Sequence, residues 1–259
     1  MDGLELLTLI YWQIGDIKME LINQIAKWIV VKVKEAGLRG AVVGMSGGID
    51  SSVTVALCQK ALGENVLGAI LPCESSPTDA KDAAKVAALC GVQTEVVNLE
   101  KIYALLLKSL PAGSELAAAN LKPRLRMMCL YYLAALNSSL VVGSGNKSEL
   151  MVGYFTKYGD GGADLLPLGG LYKTKVRKLA YDLNLPEDII KKPPSAGLWK
   201  EQTDEGELGI TYEMLDHTLM AIEAQETKDI NSDVLTHVQK LTKQASHKLN
   251  MPPIFRRQS

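Results

Sequence analysis

No run of Lys and Arg in the chain is long enough to track a phosphate backbone. Its 28 basic side chains are balanced by 29 acidic ones for a net charge of −1, which argues against bulk nucleic-acid binding. No apolar stretch approaches the roughly 20 residues of a membrane span. The four cysteines, Cys58, Cys73, Cys90 and Cys129, stand far apart with no C-x-x-C pair. They therefore offer neither a zinc knuckle nor a disulfide framework, and read as free thiols of a reducing cytoplasm. The opening residues also lack the marks of a secretory signal: Asp2 and Glu5 stand where positive charge is needed, and no small-residue cleavage site follows the apolar run 6–12.

What is present is a chain of 259 residues, 47% apolar and 22% charged, of a size for one large domain or one domain with an appendage. Met19 opens the first clean amphipathic segment. Residues 1–18 are accordingly read as an N-terminal extension or arm and 19–259 as the domain. Ile22, Ile25, Ala26, Ile29 and Val33 recur at helical spacing, with Gly37 as the stop. A short apolar run, 41–45, then leads through a Gly/Ser loop to a helical segment, 53–62.

The alternation repeats: strand 66–71, helix 79–90 stopped by Gly91, strand 95–99, helix 100–110, a long helical stretch 114–137, and strand 140–143. Pro123 predicts a kink or a fresh helix start inside the long stretch. Short, continuously apolar strands between helices predict a parallel sheet buried on both faces, a doubly wound α/β fold. Beyond it, 153–170 and 193–209 read as loops, and the remainder as helix up to Leu249.

In such a sheet ligands bind beyond the carboxyl ends of the strands, where the loop Ser46-Gly47-Gly48-Ile49-Asp50-Ser51-Ser52 leaves the strand 41–45. Its glycines let backbone approach an anion, and successive amides with the following helix N-terminus make a cradle. Asp50 is the informative member, because a carboxylate beside phosphates makes sense mainly with a divalent cation between them. The loop lacks the Lys-Ser/Thr ending of a Walker A motif and the third glycine of a dinucleotide fingerprint. It resembles instead the pyrophosphate loop of N-type ATP pyrophosphatases.

A second constellation follows the strand 140–143: Gly143-Ser144-Gly145-Asn146-Lys147-Ser148-Glu149 and then 153–164, GYFTKYGDGGAD. With these, the chain resembles the ammonia-dependent NAD synthetases, through SGGIDSS (46–52), NLKPRLRM (120–127), GSGNKSE (143–149), GYFTKYGDGGAD (153–164), LYKTKVRKLA (171–180), PPSAGLWKEQTDEGELG (193–209) and SHKLNMPP (246–253). The blocks run in order over nearly everything after Met19. Ser144 and Ser195 stand where many relatives have Thr, and Pro123 where Ala is usual.

The resemblance implies an adenine nucleotide alpha hydrolase-like fold with three αβα layers. It implies an ATP site made by Gly44, Met45, Ser46, Gly47, Gly48, Ile49, Asp50 and Ser51, with Ser144, Lys173 and Ser195. Asp50 and Glu149 are the implied magnesium ligands, and Lys173 reaches the ATP phosphates. Arg124, Lys157, Asp164, His247 and Lys248 are implied contacts of nicotinate adenine dinucleotide (deamido-NAD), and Asp160 is the candidate for deprotonating ammonium. A homodimer in the cytoplasm is also implied, with no nucleic-acid or membrane partner.

Taken singly, Arg124, Arg126 and Lys173 also suit helix-surface charges, Glu149 a first-turn acid, and His247 an ordinary surface histidine. The expected reaction is a two-step ligation through an acyl-adenylate, releasing AMP and pyrophosphate. Free ammonia, or ammonia delivered by a partner, is the expected nitrogen donor, because a glutamine-using relative needs an amidase domain of a further ~100 to 200 residues. The competing readings are a GMP-synthetase-like amidating enzyme, a tRNA-thiolating or deazapurine-forming enzyme, and a catalytically dead nucleotide-binding protein.

Overall fold

A computed structural model describes residues 3–197, 199 and 202–256, with side chains from residue 19 onward. The first helix, α1 (Gly3–Glu35), runs back through the segment read as an extension. Ile22, Ala26, Ile29 and Val33 are its buried stripe, and Gly37 ends it at φ 69°. Then follow β1 (Gly40–Gly44), α2 (Ile49–Leu62), β2 (Val66–Ile70), α3 (Pro77–Cys90), β3 (Gln93–Val96), α4 (Glu100–Ser109), α5 (Glu115–Ala119), α6 (Leu121–Leu136) and β4 (Ser139–Val142). The remaining elements are helical: α7 (Lys147–Val152), α8 (Lys173–Asp182), α9 (Glu187–Ile190), α10 (Asp204–Leu208), α11 (Tyr212–Ala224) and α12 (Ser232–Leu249).

The four strands are parallel in the order β3-β2-β1-β4. Successive side chains of a strand point to opposite faces, and the apolar runs supply both. Ala41 and Val43 of β1 join Ile22, Val53 and Val176 in one core layer. Val42, between them, joins Leu99, Tyr103 and Leu125 in the other. Helices therefore cover both faces, as the pattern predicts. A third cluster, built on Val152, Leu208, Tyr212, Leu215, Leu219 and Val238, packs α7, α10, α11 and α12 together.

Several boundaries differ from the sequence reading. Helix α2 starts at Ile49 rather than Val53 because Ser51 Oγ and Ser52 Oγ both donate to the Gly48 carbonyl (3.0 and 2.8 Å), which folds the first turn inside the glycine loop. The third strand lies at 93–96 rather than 95–99. As a charged edge strand it is exposed rather than buried on both faces. The stretch 114–137 breaks at Asn120, and Pro123 sits in the first turn of α6, where no backbone donor is needed. A short helix, α10, forms within the expected loop 193–209. No described helix is long and apolar enough to cross a membrane, and all four cysteines are free.

Since β1 leads to β2 on one side while the chain later returns to β4 on the other, the loops after β1 and β4 diverge from adjacent strand ends. Such a switch point is where a parallel sheet opens a ligand crevice.

Candidate active site

Gly47 takes φ 77°, and a Cβ there would lie 2.4 Å from the Asp79 carbonyl oxygen, so the loop after β1 accepts no side chain at this point. Gly48 is extended and caps α2 without a side-chain bond. Ser51 Oγ accepts from the Ser46 amide (3.2 Å), and Ser46 Oγ accepts from the Gly48 amide (3.3 Å). The serines thus fix the loop's shape, and the first N–H groups of the 14-residue helix α2 begin within it, the arrangement an anion cradle requires. Behind it, Met45 and the Gly44 backbone are packed against Gly68 and Leu130.

Asp50, in the first turn of α2, meets residues from two distant segments. Lys173 Nζ lies 2.6 Å from Asp50 Oδ2 and 3.0 Å from Glu149 Oε1, so one ammonium bridges both carboxylates. Lys173 is 3% exposed. It is delivered by tertiary contacts, since α8 has no side-chain cap of its own. Instead the Lys173 amide donates to Ser148 Oγ (2.9 Å) and the Thr174 amide to Asp216 Oδ2 (2.8 Å), while Ser148 Oγ donates to Asp216 Oδ1. Tyr212 lies under the ammonium, its ring centroid 4.8 Å away, and its hydroxyl donates to Asp204 Oδ2 (3.0 Å), with Glu149 Oε1 3.4 Å from the same oxygen.

Glu149 sits at the third position of α7 in a capping box with Asn146. Asn146 Nδ2 also donates to Asp50 Oδ1 (2.9 Å), tying the loop after β4 to the loop after β1. Burial pushes the Glu149 carboxyl up to about 7, with Asp50 adding to the rise and Lys173 opposing it. Burial alone would lower the Lys173 pKa, but Asp50 and Glu149 outweigh it and hold the ammonium protonated. Two hard carboxylate oxygens converging on one cation are the donors magnesium takes, alongside phosphate oxygens and water. The donor chemistry of the two carboxylates fits that ion.

Beside Glu149 a recess of about 50 Å³ is lined by Ser144, Gly145, Phe155 and Asp160 among others. Asp160 Oδ1 accepts from the Thr156 amide (2.9 Å), and its carboxylate keeps solvent contact while protein crowding raises its pKa. The recess is large enough to admit molecules of the size of water or ammonia.

Four of the five expected dinucleotide residues, Arg124, Lys157, His247 and Lys248, gather around the segment 153–158. Lys248, in the last turn of α12, donates to the carbonyls of Gly153 (2.6 Å) and Phe155 (2.7 Å). Lys157 donates to the His247 carbonyl (2.6 Å), and Arg124 to the Lys157 carbonyl (3.3 Å). The His247 side chain is exposed.

Two expected residues stand differently. Asp164 accepts from Tyr131 OH (3.1 Å) and from the Val141 amide (2.8 Å), beside β4. Ser195 is exposed and bonds the Gly197 amide (3.1 Å), with no described contact to the phosphate loop. Asn146 and Tyr212 escape the sequence reading. The N-x-x-E spacing of a capping box was a usable signal for Asn146, whereas no local pattern marks Tyr212.

A family model described as NAD synthase matches residues 21–252. The chain is 48% identical over 237 residues to the NH3-dependent NAD+ synthetase of Finegoldia magna, covering 91% of this chain and 95% of that protein. Among solved structures it resembles the NMN synthetase of Francisella tularensis, with TM-score 0.85, 32% identity, and 92% and 98% of the two chains covered. It also resembles the NH3-dependent NAD synthetase of Campylobacter jejuni, solved with nitrate, with TM-score 0.81, 30% identity, and 92% and 99% covered.

Proposed function

The chain belongs to the NAD synthase family, and we propose that it amidates nicotinate adenine dinucleotide to NAD with ammonia, using ATP. The observation that carries this reading is the convergence of Asp50, Glu149 and Lys173 beside the loop Gly44 to Ser51. That arrangement suits activation of a carboxylate by ATP, and the family supplies the substrate.

In the first step a nicotinate carboxylate oxygen attacks the α phosphorus of ATP. A phosphorus–oxygen bond forms to the substrate, and the bond to the pyrophosphate leaving group breaks. In the second, the ammonia nitrogen attacks the acyl carbon of the adenylate, the carbon–oxygen bond to AMP breaks, and the amide remains. No nucleophile of the protein is needed. Magnesium held by Asp50 and Glu149 would supply charge neutralisation at the phosphates.

The chain's own groups position and compensate charge, which is where phosphoryl transfer gains most. The loop amides and Ser46, Gly47 and Gly48 cradle the pyrophosphate portion. Lys173 moves from the two carboxylates to the phosphate oxygens as these arrive. Asp160 accepts a proton from ammonium in the recess beside Glu149, and its raised pKa brings its basicity nearer to that task. Arg124, Lys157, Asp164, His247 and Lys248 are assigned to the dinucleotide, and Ser144 and Ser195 to ATP.

A homodimer is part of the proposal. Met128, Tyr132 and Leu136 form an exposed apolar stripe at four-residue spacing on α6, with Ile102 and Leu105 exposed on α4. Sedimentation at micromolar concentration tests it, a monomer being the adverse result.

The decisive assay supplies ATP, magnesium and either ammonium or glutamine, with nicotinate adenine dinucleotide or nicotinate mononucleotide as acceptor. NAD and AMP formed together from the dinucleotide with ammonium are expected. The mononucleotide is the competitor because a structural neighbour is an NMN synthetase. Amidation of the mononucleotide alone would reassign the substrate, and no AMP with any pair would sink the reading.

A further inference from the structure

Each carboxylate of the pair has one oxygen on Lys173 and the other on a single residue. Asp50 turns Oδ2 to the ammonium and receives Asn146 Nδ2 on Oδ1. Glu149 turns Oε1 to the ammonium and receives the Asn146 backbone N–H on Oε2 at 3.2 Å. Asn146 Oδ1 in turn accepts the Glu149 amide at 3.0 Å, so its amide plane cannot turn without losing both partners. Asn146 is fully buried, and its neighbour Lys147 is held by its amide donating to the Leu171 carbonyl (2.8 Å).

A helix cap needs only an acceptor, which Ser, Thr or Asp supplies as well as Asn. The donor aimed at Asp50 is surplus to capping. Aspartate here would set oxygen against oxygen, and a hydroxyl on Cβ is too short to reach from the cap to Asp50. The side chain therefore has a second task, which is to set the spacing and aim of two carboxylates carried on different loops.

We propose that Asn146 is a positioning residue for the divalent cation. By pinning the outer oxygen of both Asp50 and Glu149, it points their inner oxygens at one place. This rests on the reading of Asp50 and Glu149 as the metal ligands. Asn146 does not touch the ion; it fixes the geometry into which the ion fits, and magnesium tolerates little departure from its octahedral arrangement.

The test uses Asn146→Ser and Asn146→Thr, which keep the cap acceptor and remove the donor to Asp50, with Asp50→Asn as control. Manganese binding is measured by its paramagnetic resonance signal with a non-hydrolysable ATP analogue present. Alongside it run the magnesium dependence of turnover and thermal unfolding. Losing a hydrogen bond to a charged group should weaken manganese binding about tenfold or more. The half-saturating magnesium concentration should rise in parallel, while turnover at saturating magnesium stays within about threefold of the parent.

A merely structural cap would lower the unfolding temperature and leave the metal dependence in place. Metal affinity within about twofold of the parent in a folded variant overturns the proposal. So does failure of both variants to fold, which would make the cap the main role. If Asp50→Asn leaves manganese binding unchanged, the metal-site reading itself fails. If Asp50→Asn weakens binding and the Asn146 variants do not, only the role of Asn146 falls.

Discussion

The two ends of the crevice are held by different kinds of bond. At the end beside the loop after β1, the Lys173 cation is buried and is neutralised by carboxylates, 2.6 Å from Asp50 and 3.0 Å from Glu149. At the other end, Lys157, Lys248 and Arg124 donate to backbone carbonyls of the 153–158 segment and of α12, which are neutral acceptors. A cation bonded to carbonyls keeps its full charge for an arriving anion. A cation bonded to two carboxylates is released only when something replaces it. One end of the crevice therefore holds a cation neutralised by carboxylates, and the other uses cations to hold loops in place while leaving their positive charge uncompensated.

The largest effect expected from breaking this contrast is at Lys173. Lys173→Met removes the cation shared by Asp50 and Glu149. AMP formation should fall about 10²–10³-fold, the usual effect of losing one group that stabilises transition-state charge. The fold should persist because burial and Asp50 both raise the Glu149 carboxyl and Lys173 opposes them, so without the ammonium Glu149 can take up a proton in compensation. Quenched-flow measurement of AMP checks the rate and circular dichroism the fold; undiminished AMP would remove Lys173 from the chemistry.

A smaller effect is expected at the other end. Lys248→Met frees the Gly153 and Phe155 carbonyls and should raise the KM for the dinucleotide about 10-fold, with kcat changed less. Its burden should also be salt-sensitive: between 50 and 300 mM NaCl the parent's KM should drift upward, because exposed charges are screened within about a Debye length, and the variant's should drift less. Steady-state kinetics in the two salts decide this, and identical drift would show that Lys248 contributes no charge to binding. The smallest effect belongs to His247→Ala. Its side chain is exposed and only its carbonyl is engaged, so unfolding free energy should change by under about 0.5 kcal/mol while the KM still responds. A large loss of stability in urea denaturation would show that the imidazole has a structural role.

The same contrast marks what was legible in the chain. Strands such as 41–43 and helices such as 22–33 are encoded by local period, and their burial followed it. The strand at 93–96 slipped by two residues because Gln93 to Val96 is an exposed edge with little apolar signature. Helix α2 began early because serine hydroxyls folded back on Gly48, a side-chain effect that apolar periodicity does not register. Lys173 reads in the sequence as one basic residue among the several of α8, equally suited to a surface. Only the packing of α8 against Ser148 and Asp216 buries it.

The alternating α/β architecture, the glycine-serine loop after β1 and the family were legible in the chain alone, because each is written in residues close together in sequence. Tertiary structure decided which charges meet. Asp50 and Lys173 are separated by 123 residues and Asp50 and Asn146 by 96, and nothing local couples them. Asp50 and Asn146 meet because β1 and β4 are neighbours in the sheet, so the loops leaving them open at the same edge, and Lys173 joins them through the packing of α8 against Ser148 and Asp216. There burial makes an unpaired charge costly enough to select one arrangement.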